Sequence, residues 1–165
     1  MSGANDFAFL IGSWNIHNKR KTGRSFWADH EPEEEATWEE FSAIDLVEKR
    51  LDGRAVVEHY EATLPSGEIV KALSVKAFDP TTHRWSITWI DTREGPDDFR
   101  PLSGTFQDGV GIFSQVIETP DGKPLHVRYI WDHITADAAR WQQAFSFDGG
   151  TTWNTNFLMQ FTRRK

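Results

Sequence analysis

Four side chains of this sequence are suited to moving a proton inside a folded domain: Glu58, Tyr60, Asp91 and His133. One buried acid or base in a dry interior can serve an isomerase, a cyclase or a hydratase without a cofactor. A strongly raised carboxyl pKa at one of them would mark the working group. The histidines, at 17, 30, 59, 83, 126 and 133, form no His-x-His or His-Glu-x-x-His pair. Local spacing therefore gives a metal site no support. No cofactor is expected, with haem as the alternative, its axial ligand drawn from His17, His59 or His133. There is no Gly-rich phosphate loop and no Gly-x-Ser-x-Gly elbow. The absence of cysteine excludes disulfides, zinc-thiolate and iron–sulfur sites and thiol nucleophiles.

Binding is better supported than catalysis. The chain holds 8 Trp and 12 Phe against 2 Met, a density of rigid rings that suits a core and also a cavity for flat or apolar molecules. Alternation sets Trp85, Ile87, Trp89 and Asp91 on one strand face. Tyr129, Trp131 and His133 share another, and Trp141, Gln143, Phe145 and Phe147 a third. Trp153, Thr155, Phe157, Met159, Phe161 and Arg163 make the last. If these faces point inward, Trp85, Trp89, Tyr129, Trp131, Trp141, Phe145 and Met159 form the wall of a ligand site. Gln143, Asn18, Thr155 and Glu58 are then its orienting polar groups, and Arg20, Asp91 and His133 also need partners. One bulge would reverse a whole face.

The elements that must position these residues alternate with period two over nearly the whole chain. Strands are expected at 12–20, 37–51 (one long bent strand or two), 54–64, 68–78 and 84–91. After a Gly95-Pro96 break they follow at 102–107, 110–117, 125–134, 139–147 and 153–162. Asp52-Gly53, Pro65-Ser66-Gly67, Asp108-Gly109, Asp121-Gly122 and Asp148-Gly149-Gly150 are hairpin turns by composition. Nine or ten strands with almost no helix predict an all-β, antiparallel up-and-down barrel, with a sandwich as the runner-up. Residues 5–11 read as one or two helical turns that close one end, with Asn5 or Asp6 as the cap. In a closed barrel the first and last strands are neighbours, which sets Trp14 beside Arg163. Residues 21–35 are a charged loop or, alternatively, a lid tipped by Phe26 and Trp27. Arg128 and Asp132 each seek a partner on a neighbouring strand.

At 165 residues the chain is read as a single domain, 1–165. A net charge of -7 disfavours nucleic acid as a partner. No apolar run is long enough to cross a bilayer, and residues 1–12 lack the pattern of a signal peptide; the expected location is cytoplasmic. A homodimer through an exposed barrel face is a further expectation. Residues 146–153 match the Asp-box pattern S-x-D-x-G-x-T-W once, which reads as a hairpin rather than as glycosidase chemistry: Asp148 accepts turn N–H bonds and Trp153 packs beneath.

A Gly-x-Trp first strand with Arg on the last resembles the lipocalin-like (calycin) barrels. Phe9-Leu10-Ile11-Gly12-Ser13-Trp14, Asp79-Pro80 with Arg84-Trp85-Ser86-Ile87, and Val127-Arg128-Tyr129-Ile130-Trp131 together resemble a bacterial family of unknown function in that group. Ala139-Arg140-Trp141-Gln142-Gln143-Ala144-Phe145-Ser146, running through Asp148-Gly149-Gly150 to Thr152-Trp153, is the most distinctive stretch. The chain departs from that pattern at Gln142 and Asn154, where the family would carry Glu. The resemblance implies the fold and carries over no catalytic residue. The haem-binding nitrobindins resemble it more distantly, through the Gly-x-Trp opening.

Overall fold

A computed structural model describes residues 2–29, 32–93, 100–119 and 121–165. Within them ten antiparallel strands close into one barrel, each paired with its sequence neighbour and the first with the last. The strands are β1 (Gly12–Lys21), β2 (Trp38–Arg50), β3 (Ala55–Thr63), β4 (Ile69–Asp79), β5 (Arg84–Asp91), β6 (Leu102–Gln107), β7 (Val110–Glu118), β8 (Pro124–Asp132), β9 (Ala138–Ser146) and β10 (Asn154–Arg163). Residues 37–51 thus contain one long strand. The Gly95-Pro96 break lies outside the described residues. No helix among the described residues is long and apolar enough to cross a membrane.

Why the chain closes is clearest at the β1–β10 seam. Trp14 stands opposite Arg163 in register, and the guanidinium carbon lies 4.1 Å from the indole centroid. Arg163 also donates to the carbonyls of Phe9 (2.7 Å), Ile11 (2.9 Å) and Ala136 (2.7 Å). One side chain thereby ties the N-terminal segment and the β8–β9 turn to the last strand. Trp14 is fully buried and donates its indole N–H to the Leu10 carbonyl at 2.7 Å.

That segment carries a 3-10 turn, Ala8–Leu10, capped by no side chain. Asp6 instead accepts the Gly3 N–H at 2.8 Å. Phe7 and Leu10 plug the barrel end. The Phe7 ring packs edge-on against Trp85 at 5.0 Å and Trp131 at 6.0 Å. Large rings meeting at right angles fill this end with little void.

The Asp-box hairpin is structural in every contact it makes. Asp148 accepts the Thr151 N–H (3.0 Å) and the Thr152 N–H (2.9 Å), along with the Ser146 and Thr152 hydroxyls. Those bonds hold its carboxyl down at about 2. Trp153 donates to the Gly150 carbonyl, and Arg128 stacks over its ring at 4.0 Å. Arg128 therefore spends its charge on an aromatic face. Asp132 does pair across strands, with Arg140 at 2.8 and 2.7 Å.

Candidate functional site

Among the described residues the end opposite the Trp14 plug is open, and a cavity of about 690 Å³ runs down into the barrel from it. That volume lies within the range of small-molecule sites. Its wall includes Trp89, Tyr129, Trp131, Trp141, Phe145 and Met159 from β5, β8, β9 and β10, all expected from alternation. Tyr129 and Trp141 meet edge-on at 4.8 Å. Gln143 lines it too, and donates its amide to Asn156 Oδ1 at 3.0 Å.

Three expected wall or polar residues stand elsewhere. Trp85 is fully buried in the closed end, where its indole N–H reaches the Gly3 carbonyl at 3.2 Å. Asn18 is fully buried and not among the lining residues; it accepts the Tyr60 hydroxyl at 3.0 Å and donates to the Phe41 carbonyl at 3.2 Å. Thr155 is not among the lining residues because the β9–β10 register shifts between Thr155 and Phe157. The bulge turns Asn156, fully buried, into the barrel in its place.

Of the acid–base candidates, Glu58, Tyr60 and Asp91 line the cavity. His133 does not: it follows β8 with a positive φ of 50°, is exposed, and pairs with Asp132 at 3.0 Å. Burial acts to raise the Asp91 carboxyl, but hydrogen bonds from Arg93 and Trp89 outweigh it and hold the group below the usual range. Burial pushes the Tyr60 phenol well above its usual value. His17 and His59, the other axial-ligand candidates, face outward against Glu40 and Glu48. Among the described residues no histidine lines the cavity, and no group of three or more His, Cys, Asp or Glu is placed to hold a metal ion.

At the mouth, Arg20 pairs with Glu39 and lies over Phe157 at 5.8 Å. The short helix α1 (Gly23–Phe26) places Phe26 and Trp27 on the rim, where both pack on Phe145 (5.5 and 5.4 Å). Asn156 donates to the Phe26 carbonyl at 3.1 Å, and Asn154 binds the Ala28 carbonyl while accepting from Lys21. The aromatic tip expected of this loop is therefore tied down over the opening. Gln142, the other position where the resemblance expects Glu, donates to Asp132 outside the cavity.

Sequence reasoning found Glu58 but missed the rest of the polar floor. Asp45 on β2, Ser74 on β4 and Glu58 on β3 line it, and Lys76 of β4 lies directly behind. Lys76 Nζ pairs with Glu58 Oε2 and donates to Ser74 Oγ at 2.9 Å. Its charge also lies 5.7 Å from the Trp131 ring centroid. Among the described residues, Asp45 Oδ1, Glu58 Oε1 and Trp131 Nε1 are buried without a hydrogen-bond partner. Burial, reinforced by the negative charge of Glu58, pushes the Asp45 carboxyl up to about 8, with Lys76 acting in the opposite direction.

A raised carboxyl means that the folded protein holds a proton the unfolded chain releases above about pH 4. The Asp45 contribution to stability should therefore fall as pH rises from about 4 to 8 and level off beyond. Asp45→Asn removes this dependence, so the gap in melting temperature in its favour should widen over that window. Melting curves of both proteins at pH 5 and 8 check it; a constant gap would contradict the assignment.

Fold and site together define a lipocalin-like barrel with an aromatic cavity. No family model matches the chain, and no curated protein matches it with significance. Among solved structures it is similar to the S-type phycobiliprotein lyase CPES from Guillardia theta, with TM-score 0.64 and 14% identity over 100% of this chain and 94% of that one. It also matches EF1p2_mFAP2b bound to DFHBI, with TM-score 0.49 and 9% identity over 99% and 100% of the two chains. The barrel expected from Gly12-Ser13-Trp14 and Arg163 is present; the particular family that the longer motifs resemble finds no match.

Proposed function

We propose that this protein binds a small, largely apolar or aromatic molecule inside the barrel. The observation that carries the reading is the cavity of about 690 Å³ walled by Trp89, Tyr129, Trp131, Trp141, Phe145 and Met159. Flat aromatic walls stack against flat ligands, and their burial on binding drives association. One solved neighbour is a phycobiliprotein lyase, which supports a binding barrel in general. Titration with 2-naphthol, read by tryptophan fluorescence, should saturate; an unsaturable response up to the solubility limit would defeat the reading.

Gln143 is the orienting polar group among the wall rings. Gln143→Leu should leave the melting temperature within a few degrees of wild type, yet change the affinity for 2-naphthol several-fold through the lost amide. Unchanged affinity would remove Gln143 from the site.

One observation favours catalysis as the second reading. Asp45 is a buried carboxyl held largely protonated near neutral pH and faces the cavity, as a general acid must. A cofactor-independent proton transfer would then use Asp45 with Glu58 or Tyr60 nearby. A homodimer would use the outward apolar residues Ile44 and Leu46 of β2 and Leu73 and Val75 of β4, each at least 38% exposed, with His59 of β3 between them.

A further inference from the structure

We propose that the floor of the cavity, where Asp45, Glu58 and Lys76 meet, binds the cationic end of an aromatic nitrogen base of the amidine or amine class, and that Asp45 gives up its proton to solvent when it does. This inference rests on the ligand-binding reading and names the chemistry of its ligand.

The floor is rich in unused acceptors. Asp45 and Glu58 are 4% and 5% exposed, and each has one carboxyl oxygen without a partner among the described residues. Lys76 is already engaged with Glu58 Oε2 and Ser74 Oγ. Two buried acceptors call for a head group with at least two N–H donors, since a single hydroxyl has one proton for both. An anionic head would face two carboxyls across a desolvated gap.

Charge points the same way. The Glu58–Lys76 pair is neutral as a unit, and Asp45 adds a negative charge when it ionises. Two carboxylates then balance two cations, Lys76 and the ligand, which satisfies the demand for paired charge in a buried site. Glu58 on β3 resists ionisation of Asp45 and Lys76 on β4 favours it. Tyr60 on β3 is also nearby, and Arg20 on β1 and Arg93 act on that phenol from the mouth side. The walls above suit the same ligand, because indole and phenol faces attract a cation while a flat body stacks between them. The proton balance is simple: the neutral Asp45 carboxyl and the ligand cation give the carboxylate–cation pair and one proton in solution. Asp45 titrates near 8, so near neutral pH only a minority of molecules are ready to bind, and that minority grows with pH.

Calorimetry with benzamidine tests this against its neutral and anionic relatives, benzamide and benzoate. Benzamidine should bind most tightly of the three. Its affinity should rise roughly tenfold per pH unit below 8 and level above it. At pH 7, titrations in buffers of different ionisation enthalpy should show release of about one proton per benzamidine bound. Asp45→Asn, which keeps the shape of the side chain, should abolish both the slope and the proton release and weaken binding at pH 8.5 at least tenfold. Equal or tighter binding of benzamide or benzoate, or a pH-independent benzamidine affinity, would overturn the proposal. If 2-naphthol saturates the cavity and benzamidine does not bind, this inference fails and the binding reading stands. If neither binds, both fail.

Discussion

Lys76→Met is expected to destabilise the protein by about 3–5 kcal/mol, the cost of leaving a buried partner charge without its counter-ion. In a chain of this size that lowers the melting temperature by roughly 6–20 °C. Methionine reproduces the length of the lysine stem and packs well against Phe7 and Trp131, so little of the loss comes from a cavity. The loss comes from Glu58, 5% exposed, facing Asp45 with no cation between them. One consequence separates this cause from simple misfolding. Adding Glu58→Gln and Asp45→Asn to Lys76→Met should recover most of the stability, because a neutral set carries no unpaired buried charge. A Lys76→Met protein melting within 2 °C of wild type at pH 7 would show that the floor is wetter and more screened than its burial implies.

Trp14→Ala is expected to cost about 3–5 kcal/mol as well, by a different route. The indole is fully buried at the closed end, and its removal opens a void among Leu10, Phe161 and the Arg163 stem. It also strands the Leu10 carbonyl that the indole N–H occupied. Trp14→Phe keeps a ring for Arg163 to cover and should recover part of the loss. Because the plug lies at the far end from the mouth, affinity for 2-naphthol should be unchanged in whatever fraction remains folded. Chemical denaturation of the three proteins, with the slope compared as well as the midpoint, measures this. An unaltered midpoint for Trp14→Ala would remove the Trp14–Arg163 pair from its closing role.

The barrel was legible in the sequence because its strongest signals are local. Turn residues punctuate strands of regular length, and the Trp14–Arg163 pair states which strands must be neighbours. The wall was legible too, since on β5, β8 and β9 the aromatic residues all share the inward parity. Beyond Glu58 the floor was not, because at Asp45 on β2 and at Ser74 and Lys76 on β4 polarity runs against burial. Asp45 faces in while Ile44 and Leu46 face out; Ser74 and Lys76 face in while Leu73 and Val75 face out. On β4 a hydrophobic-inward reading is drawn the wrong way by Ile69, Leu73 and Val75, whereas on β2 Phe41, Ala43 and Val47 keep the right parity and Asp45 alone breaks it; those breaks were the available signal for a polar cavity. Thr155 shows the other limit: a bulge, which no alternation reveals, hands its place to Asn156.

The central claim is that a small aromatic molecule enters this barrel from the open end, and the tryptophans can report its position. A two-dimensional ¹H–¹⁵N spectrum gives one indole N–H resonance for each of the 8 tryptophans. Of these, Trp27, Trp89, Trp131 and Trp141 line the cavity. Trp14 and Trp85 lie in the closed end, and Trp38 and Trp153 do not line it. On titration with 2-naphthol, the resonances of Trp89, Trp131 and Trp141 should shift together to saturation while those of Trp14, Trp38 and Trp153 hold still. Shifts confined to Trp38 or Trp153, or no saturable shift at any cavity tryptophan, would contradict the account.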